Sequence, residues 1–324
     1  MKALLCRRFG PPETLAVEDV PSPTPGRAEV RVRVKAAGVN FPDSLIIQDK
    51  YQIKPPLPFS PGGELAGVVD AVGEGVTRFK SGQPVIGFTG WGAFAEEIVV
   101  AQDRLTPMPE GMPFEIAGSF LMTYGTCYHA LRDRGQLAAG ETVLVLGAAG
   151  GIGIAAIEIT KALGARVIAA ASSDEKLRTC RAQGADEVIN YQSEDLRERL
   201  KVLTAGRGVD VVCDPVGGSF AEPALRSIGW RGRYLVVGFA GGEIPKIPLN
   251  LALLKGCAIV GVFWGDFMRR EPANGEREVQ ELFALYRAGR IKPLVSARYT
   301  LAQTADALQA LMQRKVQGKV VVVP

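Results

Sequence analysis

Thr142–Gly153, TVLVLGAAGGIG, runs straight into the apolar stretch Ile154–Leu163, and this succession decides the fold. Thr142–Leu146 has the length and apolarity of a buried strand. Gly147–Gly153 is a glycine-rich turn, and Ile159, Ala162 and Leu163 then fall at helical spacing. Strand, glycine turn and helix in that order make a dinucleotide-binding βαβ unit: the backbone must approach a pyrophosphate closely, and the first helical N–H groups must point at it. The fingerprint is Ala148-x-Gly150-Gly151-Ile152-Gly153, with alanine where a first glycine often sits. Gly150 leaves room for phosphate oxygens, and Gly153 lets the helix pack tightly on the strand. Gly73-x-Gly75 has a similar spacing but lies between Val68–Val72 and Val76–Phe79 with no helix after it, so it is expected to be a hairpin turn.

Working outward, strand-like runs recur at Arg166–Ala171, Glu187–Ile189, Val209–Cys213, Arg233–Val237 and Ala258–Phe263. Helical stretches such as Asp174–Ala182 and Asp195–Thr204 separate several of them. This alternation predicts a doubly wound parallel sheet. Three of its strands end in glycine turns, at Gly147–Gly153, Val216-Gly217-Gly218 and Gly238–Gly242. Ligands lie at the carboxyl ends of such strands, so these turns should line one cleft.

Before this region the chain is rich in strands, prolines and glycines, with alternating segments at Glu29–Ala36, Leu65–Val72 and Ala95–Val100. That pattern suggests a partly closed β domain. After Val262 come an amphipathic helix at Glu276–Ala288, a capping-box spacing at Thr300-x-x-Gln303 and a last strand, Lys319–Val323. This tail is too small for a domain of its own and should pack back on the first. The expected division is 1–120 for the β domain, 121–262 for the dinucleotide-binding domain and 263–324 for the return.

The 324 residues suffice for two full-sized cores, and 47% hydrophobic with 22% charged content is ordinary for a globular protein. The net charge of +4 has no block of like sign behind it. Arg31, Arg33 and Lys35 alternate with valines as the wet face of a strand, which disfavours a nucleic-acid surface. Five cysteines without a close pair argue against a disulfide framework or a Cys-x-x-Cys metal site and fit a reducing, cytoplasmic setting. No signal peptide or membrane span is evident.

The second strand of the unit ends at Ala171, where dinucleotide folds that prefer NADH carry Asp or Glu. Ser172, Ser173 and Lys176 stand there instead, with hydroxyls and a positive charge suited to a 2′-phosphate. Asp174 and Glu175, in the first turn of the next helix, should point elsewhere. The expected cofactor is NADPH. His129 is the only histidine and is expected to be packed in a helix, and Gly-x-Ser-x-Gly is absent, so hydrolase chemistry has no support.

These motifs carry a family likeness. Gly38-Val39-Asn40-Phe41-Pro42-Asp43, Pro61-Gly62-Gly63-Glu64, Ala148–Gly153, Val188-Ile189-Asn190-Tyr191 and Asp214-Pro215-Val216-Gly217-Gly218 fall in one order and spacing from Met1 to Pro324. The chain resembles the zinc-free quinone oxidoreductases of the medium-chain dehydrogenase/reductase superfamily, the group that includes zeta-crystallin. Pro248-x-Asn250 and Phe263-Trp264-Gly265 look closest to its quinone oxidoreductase-like branch. The resemblance implies an α/β architecture in which a GroES-like catalytic domain holds both chain ends and a Rossmann domain is inserted. It also implies that Tyr191 and Arg314 flank the adenosine phosphate, that Thr126 and Asn40 lie near the nicotinamide, and that the last Rossmann strand pairs across a homodimer. Zinc-dependent relatives use cysteine where Asn40 stands and histidine where Gly63 stands, so no metal is expected.

Without a metal to polarise a carbonyl, hydride should go to an acceptor that is already electrophilic, a quinone or conjugated enone. Asn40, Asp43 and Tyr51 are the catalytic candidates, with Tyr51 able to donate a proton or a hydrogen bond. Phe239, Phe263 and Trp264 are candidates for the substrate pocket. The cofactor-binding candidates are Asn40, Thr126, Ala148, Gly150, Gly151, Ile152, Gly153, Ser172, Ser173, Lys176, Tyr191, Val216, Gly238, Phe239, Phe263 and Arg314. Two alternatives stand beside this expectation. One is reduction of alkenals or acryloyl-CoA-type enoyl thioesters; the other is a structural or RNA-binding role for a crystallin-like NADPH-binding protein.

Overall fold

In the computed structural model, which describes all residues 1–324, Thr142–Leu146 is an interior strand of a six-stranded sheet. Its strands are β1 (Thr142–Leu146), β2 (Arg166–Ala171), β3 (Glu187–Asn190), β4 (Val209–Asp214), β5 (Ile228–Val236) and β6 (Ala258–Gly261). All pairings are parallel, and the spatial order is β3-β2-β1-β4-β5-β6. The order reverses between β1 and β4, the place where such sheets open a crevice at their carboxyl ends. Strands buried on both faces must be apolar throughout, and β1 and β2 are buried over nearly their whole length.

The doubly wound unit spans Thr123–Pro293; the other unit consists of Met1–Met122 and Leu294–Pro324. The first boundary thus falls within a few residues of the expected 120/121. The return falls at Leu294 rather than 263, because helices Trp264–Arg270 and Pro272–Arg287 belong to the doubly wound unit. Trp264 explains the difference. It is buried, and a Cβ placed on Gly125 would lie 2.5 Å from its ring, so the segment that follows β6 is locked to that unit's own helices.

The other unit is built on a seven-stranded sheet whose long strand Glu29–Gly38 changes partners along its length. It pairs antiparallel with Glu64–Val72, with Glu97–Ala101 and, at its end, with the C-terminal strand Lys319–Val323. Register shifts near Arg31/Val32 and Val34/Ala36 bend it, as bulges do, and curl the sheet toward partial closure. The expected hairpin at Gly73–Gly75 is absent. Val76–Phe79 forms no strand, and Glu64–Val72 pairs instead with Pro84–Phe88. The capping box at Thr300 and Gln303 is present and opens the turn Leu301–Gln303, which leads into helix Thr304–Met312. No helix is long and apolar enough to cross a membrane.

Candidate functional site

In the doubly wound unit, β1 ends at Leu146 and the helix Gly151–Ala162 begins with Gly150 as its N-cap. No side chain caps this helix, so the N–H groups of Gly151, Ile152 and Gly153 have no intrahelical acceptor. The glycines divide the work. A Cβ on Gly153 would lie 2.4 Å from the Ala148 backbone, so only glycine lets helix and turn meet. A Cβ on Gly150 would meet nothing closer than the Gly147 carbonyl at 3.5 Å, which leaves an open cradle above it. The donors and the open space fit a pyrophosphate.

The neighbouring turn is held from below by Asp214, at the end of β4. Its Oδ1 accepts from the N–H groups of Val216 (2.7 Å) and Gly217 (2.8 Å), and the buried Tyr234 hydroxyl donates to Oδ2. The turn after β5 is tied to the same place, with Ala240 N–H donating to Pro215 O and Gly241 N–H to Val216 O. Val216 is therefore set against Gly147 of the β1 turn, and Gly238 lies next to Pro215.

At the end of β2, Ala171 is buried and the Lys176 ammonium donates to Ser172 Oγ at 3.2 Å. Ser173 is the helix N-cap and accepts the Lys176 N–H, so its hydroxyl serves the helix. Asp174, in the first turn of that helix, accepts from the Asn190 amide at the end of β3. Tyr191 packs against Phe220, with ring centroids 4.3 Å apart. Thr126 is half-buried at the start of a helical turn, while Phe239 and Phe263 are exposed. Trp264 is buried, and its ring packs against Gly125.

In the other unit, the candidates Asn40 and Asp43 lie by a buried ion pair the sequence did not announce, and Tyr51 lies within reach of the Asp43 charge. The Lys319 ammonium lies 3.1 Å from Glu64 Oε1, with both side chains almost fully buried. It also donates to Asn40 Oδ1 (2.5 Å) and Val39 O (3.0 Å). The Asn40 amide in turn donates to Glu64 Oε1 (2.8 Å) and Gly38 O (3.2 Å), and Met122 N–H donates to Glu64 Oε2 (2.9 Å). Every polar atom of the Asn40 side chain is thus engaged within the protein. These bonds fix the orientation of the Asn40 amide. With that amide turned inward and no side chain at Gly63, the donor set does not fit a catalytic zinc. Arg314 is exposed just past helix Thr304–Met312, in a left-handed conformation.

Asp43 accepts the Asn40 N–H at 2.7 Å beneath the start of helix Phe41–Ile46. Burial pushes its carboxyl from 3.8 up to about 7, against the pull of the Asn40 and Gly62 N–H groups and of Lys319. Burial, and then the charge of Asp43, raise the Tyr51 phenol, so its hydroxyl stays protonated at neutral pH. The shift on Asp43 has a sign for stability. Between about pH 4 and 7 the folded chain holds a proton the unfolded chain has released, so this group's contribution falls as pH rises through that window. Three pH units correspond to about 4 kcal/mol. Asp43→Asn should therefore flatten that part of the stability profile, which denaturant midpoints measured across the window will check.

A doubly wound unit whose strand order reverses between β1 and β4, with an uncapped helix over an open glycine cradle, in the same chain as a GroES-like β unit, defines a medium-chain dehydrogenase/reductase. Residues 26–110 match the alcohol dehydrogenase GroES-like domain and residues 151–283 the zinc-binding dehydrogenase family. The quinone oxidoreductase-like protein 2 homolog of Nematostella vectensis is 39% identical, covering 99% of this chain and 88% of its own length. A quinone oxidoreductase of Pseudomonas aeruginosa is 37% identical over 98% of this chain and 97% of its own. The structure of Escherichia coli quinone oxidoreductase complexed with NADPH superposes with a TM-score of 0.93 at 31% identity, covering 100% of both chains. The chain belongs to the quinone oxidoreductase branch of the medium-chain dehydrogenase/reductase superfamily.

Proposed function

We propose that the chain is an NADPH-dependent oxidoreductase that passes hydride to a quinone or another conjugated carbonyl, and that it does so without zinc. The observation that carries this reading is the pairing of two features of one unit. They are the uncapped helix above Gly150, and Ser172 with Lys176 at the end of β2, where a carboxylate would favour NADH. The NADPH-complexed relative from E. coli supports it.

Bound NADPH would supply the hydride. The N–H groups of Gly151, Ile152 and Gly153 would hold its pyrophosphate, and Ser172 with Lys176 would hold its 2′-phosphate. Asp214 keeps the Val216 turn in register for that binding. Tyr51 would donate a hydrogen bond to the acceptor oxygen as charge builds there, and the Lys319–Glu64–Asn40 network holds Asn40 rigid within its own unit. Stopped-flow loss of NADPH absorbance with quinones, enones, enoyl thioesters and simple aldehydes tests the reading. Oxidation by quinones or enones that survives treatment with a chelator is expected. Reduction of simple aldehydes alone would overturn it.

Cofactor choice can be measured apart from turnover. Charge-assisted hydrogen bonds are worth about 1.5–3 kcal/mol each before solvent screening. One or two partly exposed contacts then give NADPH a preference of roughly tenfold to several hundredfold over NADH. Calorimetric titration of both cofactors should show that preference, and Lys176→Ala should reduce it. Equal affinities would refute the assignment.

A homodimer across β6 completes the proposal. β6 is the terminal strand of its sheet and largely exposed, and Trp230, Leu249, Leu253, Leu254 and Ile259 are exposed large apolar residues of the same unit. An apolar sheet edge of this kind needs a cover. Light scattering should return twice the chain mass at micromolar concentration, and Ile259→Lys should shift it toward the monomer.

A further inference from the structure

His129, which the sequence marked only as a packed helix residue, faces two carboxylates. It lies in the π-helical turn His129–Arg134, four residues before Asp133, and Glu278 approaches from helix Pro272–Arg287. Nδ1 is 3.2 Å from Asp133 Oδ2 and 3.6 Å from Glu278 Oε1, and the three ligand atoms lie within 4.8 Å of one another. His129 and Glu278 are more than nine-tenths buried, and Phe267 stacks on the imidazole with centroids 4.0 Å apart.

Two features separate this cluster from an ordinary packed histidine. Despite these short separations, Nδ1 makes no hydrogen bond, and neither does Glu278 Oε2, although both atoms are buried. Buried polar atoms left in that state are costly unless something else satisfies them. The spacing is also that of ligands around a small cation. Bonds of 2.0–2.1 Å in a tetrahedral shell place neighbouring donor atoms about 3.3 Å apart, a value between the 3.2 and 3.6 Å that separate Nδ1 from the two carboxylates. Two carboxyl groups beside one imidazole, one of them buried, make an oxygen- and nitrogen-donor set suited to a cation.

We propose that His129 Nδ1, Asp133 and Glu278 form a site for one divalent transition-metal ion of the zinc class, bound by one nitrogen and two carboxylates. Asp133, half exposed, gives the ion its way in from solvent. The fourth position is left to water. The site shares no residue with the glycine cradle, and its ion acts on the packing of the π-turn against helix Pro272–Arg287. The competing arrangement is an imidazolium shared by the two carboxylates, which needs no metal.

Because the chain has a single histidine, its ring nitrogens give an unambiguous signal. The full chain, stripped with a chelator, is titrated with zinc chloride by calorimetry and by nitrogen-15 NMR of the imidazole. The expected result is one ion per chain, a shift of the Nδ1 resonance, and a melting temperature raised by about 3–6 °C at hundredfold excess over Kd. Cobalt should give a spectrum without thiolate-to-metal charge transfer, which separates this site from Cys257. Asp133→Asn should weaken binding by about tenfold or more. It removes a half-exposed group and should leave the melting temperature of the metal-free protein unchanged, so it remains informative if Glu278→Gln fails to fold. No saturable uptake, an Nδ1 resonance already protonated and indifferent to zinc, or uptake unaltered by Asp133→Asn would overturn the proposal.

Discussion

Gly150→Val is expected to raise the KM for NADPH by two orders of magnitude or more while leaving thermal stability almost unchanged. Gly150 has φ −77° and ψ 175°, an extended conformation open to any L residue, so valine brings no backbone strain. Within the protein its Cβ would rest in ordinary contact with Gly147 O at 3.5 Å. The branched methyls have only the cradle to enter, and there they displace the pyrophosphate from the N–H groups of Gly151, Ile152 and Gly153. Losing two charge-assisted hydrogen bonds costs about 3–6 kcal/mol, or roughly 10²–10⁴-fold in affinity. Gly153 provides the internal control. Its Cβ would stand 2.4 Å from the carbonyl of Ala148, so Gly153→Ala must move helix or turn and should lower stability by about 1–3 kcal/mol. Cofactor titration and thermal unfolding of both variants separate the two roles. A Gly150→Val protein that binds NADPH normally would remove the cradle from the proposed site.

That contrast also marks how far the sequence could be read. Strand, turn and helix at Thr142–Gly153 are local: periodicity and glycine placement specify them within a few residues. The parallel sheet follows from repeating that pattern, and Ala171 with Ser172 and Lys176 could be located by counting to the end of a strand. What escaped was long-range pairing. Lys319 opens an otherwise apolar strand and Glu64 follows a pair of glycines, yet their side chains meet across 255 positions of chain. The available signal was that a charged residue buried inside an apolar strand requires a partner. Nothing local named that partner. His129 and Glu278 meet in the same way, with Glu278 on a helix expected from the sequence to pack on the other unit. The hairpin at Gly73–Gly75 failed for a different reason. Alternation in Val76–Phe79 is too short to outweigh the pairing of Pro84–Phe88 with Glu64–Val72.

The chemistry itself turns on one hydroxyl. Tyr51→Phe keeps the ring, which packs against the core of its own unit, and removes only the oxygen. Burial and the neighbouring Asp43 charge both raise the phenol's pKa, so at neutral pH it is a donor and never a competing anion. Asn40 cannot take its place, because Lys319, Glu64 and Gly38 already occupy its amide. If the Tyr51 hydroxyl stabilises charge developing on the acceptor oxygen, the interaction is stronger in the transition state than in the ground state. Then kcat and kcat/KM should fall together, by roughly one to three orders of magnitude, with the KM for NADPH unchanged. Asp43→Asn offers a second readout. Loss of the charge beside Tyr51 should remove any inflection near pH 7 from the kcat profile while the hydroxyl still donates. An unchanged kcat in Tyr51→Phe would make Tyr51 a wall of the site and assign the proton to water.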